Sequence, residues 1–328
     1  MKSQNWTLKI QKRWKNIQKS LSIRRFLSRN FKVLAAVVVF APFAALLLGT
    51  VYFCVNGIAL AELAFLIVTW QLGCLGVTIG LHRFLTHSGF KPKGIPGLIF
   101  KFLILALANT SAEGPAISWV ASHRKHHAFS DIEGDPHSPH HGWDNFWKGF
   151  WHAHVGWMFR INYPSVIQQY KRDLDKDRLV LFMDRTYFWW LLLRFVFAYL
   201  LFGPVGILLS LMALGLTHQS TFAVNSICHL FGRREFTSSK GDQSTDNFWV
   251  MLVAAGEGGH RIHHSMAYSV RHSVYWWQPD LSWYVIWTLS KLGVITDLLL
   301  PTSEQIEAKR HNPQTHIPSA NTTPSATP

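Results

Sequence analysis

The sequence predicts an all-α integral membrane protein: four transmembrane helices in two hairpins, with a histidine-rich cytoplasmic cap of helices. Three observations predict it. Apolar residues come in four long runs, paired about short turns: 33–54 with 58–80, and 187–203 with 205–228. Eight histidines fall in three boxes beside these runs, His82/His87, His123/His126/His127 and His260/His263/His264. Positive charge is concentrated ahead of the first run.

Hydrophobic residues make up 48% of the 328 and charged residues only 15%, a low share for a soluble protein. The net charge of +14 is uneven, for residues 1–32 hold ten Lys/Arg and no acid. Such a patch suits nucleic acid or anionic lipid. Its place directly before an apolar run selects lipid, so no nucleic-acid partner is expected. Trp6, Ile10, Trp14, Ile17 and Leu21 recur at helical spacing, which predicts an amphipathic helix lying in the cytoplasmic interface.

Run 33–54 has the length needed to cross hydrocarbon. It is too long, and lacks the small-residue pattern, for a cleaved signal peptide. Val55-Asn56-Gly57 signals a turn, and 58–80 returns, broken only by Glu62. Basic residues before the first span and none in the turn place both termini in the cytoplasm. Run 97–108 is too short to span and is expected as an interfacial or partly buried helix. Residues 129–185 are polar and read as cytoplasmic. The second hairpin turns at Gly203-Pro204, with Arg194 inside it either snorkelling or facing protein. Residues 281–300 read as an interfacial helix. The membrane domain therefore occupies 33–301. The polar segment 302–328, with scattered proline, is expected to be disordered.

Cys54, Cys74 and Cys228 form no CxxC and fall in apolar stretches, which excludes a zinc ribbon or disulfide framework. The histidines carry the chemistry. Residues i, i+3 and i+4 share a helix face, so each HxxHH box can converge. His82 and His87 cannot, because five residues turn an α-helix through about 140°; a bend between them is expected. His229, at the end of the last run, is a ninth candidate, and Asn225, one turn earlier, a holder of metal-bound water. Nine imidazoles exceed one ion's capacity, so two ions with four or five ligands each are expected. All-nitrogen ligation suits iron, zinc or copper. Structural zinc favours four ligands with cysteine, which leaves a redox pair of non-haem irons as the best fit. Asp131, Glu133, Asp135 and Glu257 are candidates to orient the imidazoles. His137, His140, His141, His152 and His154 read as supporting or surface groups. His218, His272, His311 and His316 read as ordinary histidines. A metal-ion transporter is the alternative of another class, although transport sites sit within the bilayer.

From about residue 58 to 285 the chain resembles the membrane-bound fatty acid desaturases of the Δ9 (stearoyl-type) branch. The resemblance rests on Gly80-Leu-His-Arg-Phe-Leu-Thr-His87, Trp119 before His123-Arg-Lys-His-His127, Asp135-Pro-His137, His154-Val-Gly-Trp157, Asn225-x-x-x-His229 and Gly256-Glu-Gly-Gly-His260-x-x-His-His264. It implies four spans, a cap holding two irons, and as ligands His82, His87, His123, His126, His127, His229, His260, His263 and His264, with Asn225 acting through water. It implies O2-dependent desaturation of a saturated C16/C18 acyl chain, as acyl-CoA or membrane acyl-lipid, giving a cis double bond. Ser122 and the stretch Tyr268–Asp280 look more like the bacterial branch, which places the chain in a bacterial inner membrane. No fused haem-binding His-Pro-Gly-Gly segment occurs, so electrons would come from a ferredoxin, cytochrome b5 or a reductase. Related di-iron hydroxylases are the alternative within this chemistry. A substrate tunnel is expected past Trp119. Trp70, twelve residues and about 18 Å of helix before His82, either closes that tunnel or packs as an ordinary bundle residue.

Overall fold

The computed structural model describes residues 31–171 and 173–310; all but the end of the basic segment 1–32 lies outside them. Helices α1 (Phe31–Asn56) and α2 (Leu60–Leu75) are the first two apolar runs. Gly57, at φ 79°, turns the chain between them, a conformation natural only to glycine. Glu62 is no flaw in the second run. Its carboxylate accepts the Ala59 N–H at 2.8 Å, capping the helix mouth. α2 continues without a break into a π-helical segment, Gly76–Thr86, so this rod ends six residues beyond the expected 58–80.

Beyond the π segment come β1 (Lys91–Pro92) and α3 (Gly94–Thr110). As expected for 97–108, α3 is half-buried: Ile104, Leu105 and Ala108 face inward, whereas Leu98, Ile99 and Leu103 are exposed. α4 (Ala116–Phe129) carries the second box. The polar stretch that follows folds as α5 (Phe146–His154), α6 (Tyr163–Tyr170) and α7 (Arg178–Arg185).

α8 (Tyr187–Leu230) is a helical hairpin. Gly203, at φ 58° and ψ −143°, breaks the helix. Arg194 Nε donates to Ser210 Oγ at 2.8 Å, though the two would stand about 24 Å apart on a straight helix. The chain therefore reverses at Gly203-Pro204. Arg194 faces protein rather than snorkelling, since it also donates to the Thr110 carbonyl at 3.0 Å and so holds the last carbonyl of α3. The arms pack on the first hairpin through glycine. A Cβ on Gly73 would stand 2.7 Å from Thr217 Oγ1, and one on Gly215 would stand 2.6 Å from the Pro42 carbonyl. Close backbone approach of this kind binds helices in lipid. Among the described residues three helices, Lys32–Asn56, Leu60–Thr86 and Tyr187–Leu230, are long and apolar enough to cross a membrane. Their outer faces expose Leu48, Val51, Ile67, Val68, Phe197 and Leu200.

The chain closes with α9 (Phe248–Val253), α10 (His260–Ser265) carrying the third box, α11 (Leu281–Lys291), β2 (Ile295–Thr296) and α12 (Ser303–Lys309). β2 pairs antiparallel with β1, Lys91 opposite Thr296, a small ribbon outside the all-α expectation. α12 corrects the expected disorder from 302. Thr302 Oγ1 accepts the Gln305 N–H and Gln305 reaches back to Thr302, and Thr237 N–H donates to the Lys309 carbonyl at 2.7 Å. A capping box outweighs polar composition here. Residues 311–328, with His311 and His316, lie outside the described residues.

Leu81, Leu105, Val120, Met183, Val270 and Ile286 are fully buried together. Each contributes about 1.5–3 kcal/mol to joining the π segment, α3, α4, α7 and α11 into the platform that carries the histidine boxes. The hairpin at Gly203 gives the first testable outcome. A Cβ on Gly206 would run into the Ala198 carbonyl of the opposite arm. Gly206→Leu is therefore expected to destabilise the protein by about 3 kcal/mol, read as a lowered melting temperature in detergent. An unchanged melt would contradict the hairpin.

Candidate metal centre

The first box solves its spacing problem through the π segment, not through the expected bend. A π turn bonds residue i+5 to residue i. His87 N–H donates to the His82 carbonyl at 3.2 Å, and Thr86 Oγ1 donates to the Leu81 carbonyl at 2.8 Å. Residue i+5 thus returns to the face of residue i, and the His82 and His87 rings lie 5.0 Å apart.

The two HxxHH boxes do not each converge on one point; they divide. His123 and His127 of α4 join His263 of α10, together with His82 and His87. His260 and His264 of α10 join His126 of α4, together with His229 at the end of α8. In each box the i and i+4 rings go one way and the i+3 ring the other, so α4 and α10 exchange one imidazole. In each group the candidate ligand atoms all lie within 4.8 Å of one another. The expected nine imidazoles thus meet as a five and a four.

Their inner edges have the size of a coordination shell. Nε2–Nε2 separations are 3.0 Å for His82–His263, 2.9 Å for His263–His127 and 3.0 Å for His123–His127. In the second group they are 2.9 Å for His229–His260 and 3.3 Å for His126–His264. Two imidazole nitrogens each about 2.1 Å from one ion and at right angles stand about 3 Å apart. His87 Nε2 is buried with no hydrogen-bond partner. An inward-facing imidazole with nothing in the protein to bind fits a metal ligand.

Carboxylates hold the outer nitrogens of four of these rings. His82 Nδ1 meets Glu257 Oε2 at 2.5 Å, and His229 Nδ1 meets Asp131 Oδ2 at 2.7 Å. His126 Nδ1 meets both Asp135 oxygens at 3.0 Å. Such bonds put the proton on Nδ1 and turn the Nε2 lone pair inward. Asp242, absent from the sequence expectations, meets His264 Nδ1 at 3.3 Å; an acid in a polar loop eighteen residues before the third box carries no local signal.

Several expectations change. Glu133 is exposed and orients nothing. His272, expected to be ordinary, is buried and forms a set with His82 and Glu257. His137 stacks on His126 at 4.1 Å, and His140 Nε2–H donates to the His229 carbonyl at 2.6 Å. His152 and His154 bond Pro136 and the Ser226/Gln219 pair, while His141 is exposed. His218 donates to the Ser111 carbonyl, as an ordinary buried histidine does. Asn225 lies half-buried one turn before His229. Trp119 stacks on His123 at 5.1 Å and so walls the five-imidazole group. Trp70 lies deeper, its indole N–H donating to Ser220 Oγ at 3.1 Å across to α8.

Burial, helped by repulsion from neighbouring rings, holds His123, His127, His260 and His263 well below the ordinary value of 6.5. Burial also pushes His264 down to about 4, against the pull of Asp242. Burial works to raise Asp131 and Asp135, but the facing imidazoles and hydrogen bonds outweigh it and keep both below the usual carboxylate range. Neutral imidazoles backed by ionised carboxylates are the metal-binding forms.

The fatty acid desaturase family matches residues 56–291. A hex-5-enoyl-[acyl-carrier protein] acetylenase of Moorena producens is 35% identical over 268 residues, 77% of this chain and 81% of that protein. An icosanoyl-CoA 5-desaturase of Limnanthes douglasii is 36% identical over 248 residues, 74% of this chain and 66% of that protein. An sn-1 stearoyl-lipid 9-desaturase of Anabaena variabilis is 33% identical over 251 residues, 73% and 84% of the two chains.

The lowered imidazoles fix a pH dependence. Their folded values lie below the unfolded 6.5, so the unfolded chain binds more protons and stability is lost as pH falls through 6.5. Metal-stripped protein is expected to melt at progressively lower temperature from about pH 7 to pH 5, followed by tryptophan fluorescence. A melt flat across that window would contradict a buried neutral cluster.

Proposed function

The chain belongs to the fatty acid desaturase family and is an oxidoreductase, and from that premise we propose that it is a Δ9-type acyl desaturase of the bacterial branch. The proposed reaction puts a cis double bond into a saturated C16 or C18 acyl chain presented as acyl-CoA or membrane acyl-lipid. The reading is carried by one observation: nine imidazoles gathered as a five and a four, at the ends of helices apolar enough to cross a membrane.

A methylene offers neither an acidic proton nor a polar handle, so no side-chain acid or base can start the reaction. Two iron ions, when bound, would supply the oxygen chemistry that the step demands. Two C–H bonds on adjacent carbons break and one C=C bond forms. O2 takes those two hydrogens, plus two electrons and two protons from outside, and leaves as two waters. The external electrons are assigned to a ferredoxin, cytochrome b5 or a reductase.

The protein's part is to hold and aim. His82, His87, His123, His127 and His263 would bind one ion. His126, His229, His260 and His264 would bind the other, with Asn225 acting through a water. Asp131, Asp135 and Glu257, with Asp242, hold the imidazole tautomers and oppose the ions' charge. Trp119 would line the acyl tunnel beside the five-imidazole group. Four crossings, two in each hairpin, put the cap and both termini on the cytoplasmic side, because the basic residues precede α1.

Relatives named for the 5- and 9-positions match about equally well, so identity does not choose the bond; for the chain length we infer a limit set by depth. The indole of Trp70, anchored on Ser220, would stop the methyl end between α2 and the second arm of α8. Trp70→Ala is expected to shift the products toward longer chains by about two carbons or more, seen by gas chromatography of fatty acid methyl esters; an unchanged profile makes Trp70 a packing residue. Expression in a strain lacking unsaturated fatty acids tests the whole reading. Double-bond location by mass spectrometry is expected to give cis-9 monoenes, and none with His127→Ala. A hydroxylated product, or no new lipid, would contradict it.

A further inference from the structure

Glu257 sits in a turn pressed against another part of the chain. A Cβ on Gly256 would run into the Asp280 carboxylate, and one on Gly259 into the His272 carbonyl. Asp280 in turn accepts the His272 backbone N–H at 2.7 Å and the Trp283 N–H at 3.0 Å, and pairs with Arg83 at 2.9 Å. Four buried residues, Arg83, Glu257, His272 and Asp280, are thereby fixed behind the five-imidazole group.

His272 is the one whose side chain has no assigned task. It is 1% exposed, and neither ring nitrogen has a hydrogen-bond partner. Its ring lies 4.5 Å from that of His263 and 5.2 Å from that of His82. Its nitrogens fall outside the five that gather together, but it forms a set with His82 and Glu257. Its Nδ1 stands 3.6 Å from Glu257 Oε1, a few tenths of an ångström beyond a hydrogen bond. The other oxygen, Oε2, is the one on His82 Nδ1. Arg83 reaches Oε1 only at 3.4 Å and spends its stronger contacts on Asp280 and the Val270 carbonyl.

We propose that His272 is a positioning residue for the five-imidazole site: its ring, set against Glu257 Oε1, confines that carboxylate and so keeps Oε2 on His82 and the His82 lone pair aimed at its ion. The inference rests on the two-ion reading of the site. An outer partner of this kind sets metal affinity rather than ligand number, and its loss weakens binding about 10–100-fold. It acts on one ion only, since Glu257 touches none of His126, His229, His260 and His264.

The test uses full-length protein in detergent, loaded with ferrous iron. Iron per chain is measured by mass spectrometry and its release to ferrozine by absorbance, for wild type, His272→Phe and His272→Asn. Wild type is expected to hold two irons; failure there would sink the two-ion reading itself. In His272→Phe one iron should leave about 10–100-fold faster, with the other unchanged. His272→Asn, whose amide N–H can stand near the lost Nδ1, should restore both. Wild-type release from His272→Phe would overturn the proposal, and so would equal loss from the Phe and Asn variants. Should the Phe variant fail to fold, judged by its melting curve, the same comparison is made between His272→Asn and His272→Ala.

Discussion

Nine imidazoles turned toward one another inside the protein are the constraint from which the rest of this molecule follows. A neutral imidazole carries one N–H and one lone pair. In His82, His126, His229 and His264 carboxylates claim the outer nitrogen, so the other ring nitrogen faces inward at contacts of about 3 Å. His87 Nε2 is left with no partner among the protein groups. Two cations would suit such an array, and the buried carboxylates would supply the charge that makes them acceptable in a low dielectric.

The fold meets that constraint with three local devices. A π segment brings i and i+5 onto one face and makes a pair of His82 and His87. Two short helices exchange one imidazole each, so that α4 and α10 take part in both groups at once. The Gly256–Gly259 turn sets Glu257 behind His82 because glycine lets the backbone lie against Asp280 and His272. The remaining imidazole, His229, stands at the end of the α8 hairpin. The groups are thus fastened directly to the two rods that carry the apolar face, α2 with its π extension and α8. The Trp70–Ser220 contact joins the same two rods farther from the imidazoles.

Much of this was legible in the residues. The hairpin turns at Gly57 and Gly203-Pro204 could be read because glycine and proline punctuate apolar runs. The nine imidazoles, with Asp131, Asp135 and Glu257, could be read because box spacing is local. What escaped depends on partners distant in sequence. A π turn leaves no mark on composition, since its bonds differ from those of an α-helix by one residue of register, and a bend was expected between His82 and His87 instead. Asp242 and His272 reach the site only through loops that fold back onto it. Glu133, close in sequence to Asp131 and Asp135, points the other way for the same reason. α12 was hidden by polar composition, although Thr302 and Gln305 spelled a capping box. How the boxes divide between two groups was not readable either, because helical spacing says which rings share a face and not which ion they meet.

Anomalous scattering at the iron edge, from crystals of iron-loaded protein, tests the central claim most directly. Two peaks are expected, one enclosed by His82, His87, His123, His127 and His263, the other by His126, His229, His260 and His264. A single peak, or peaks lying away from these rings, would contradict it.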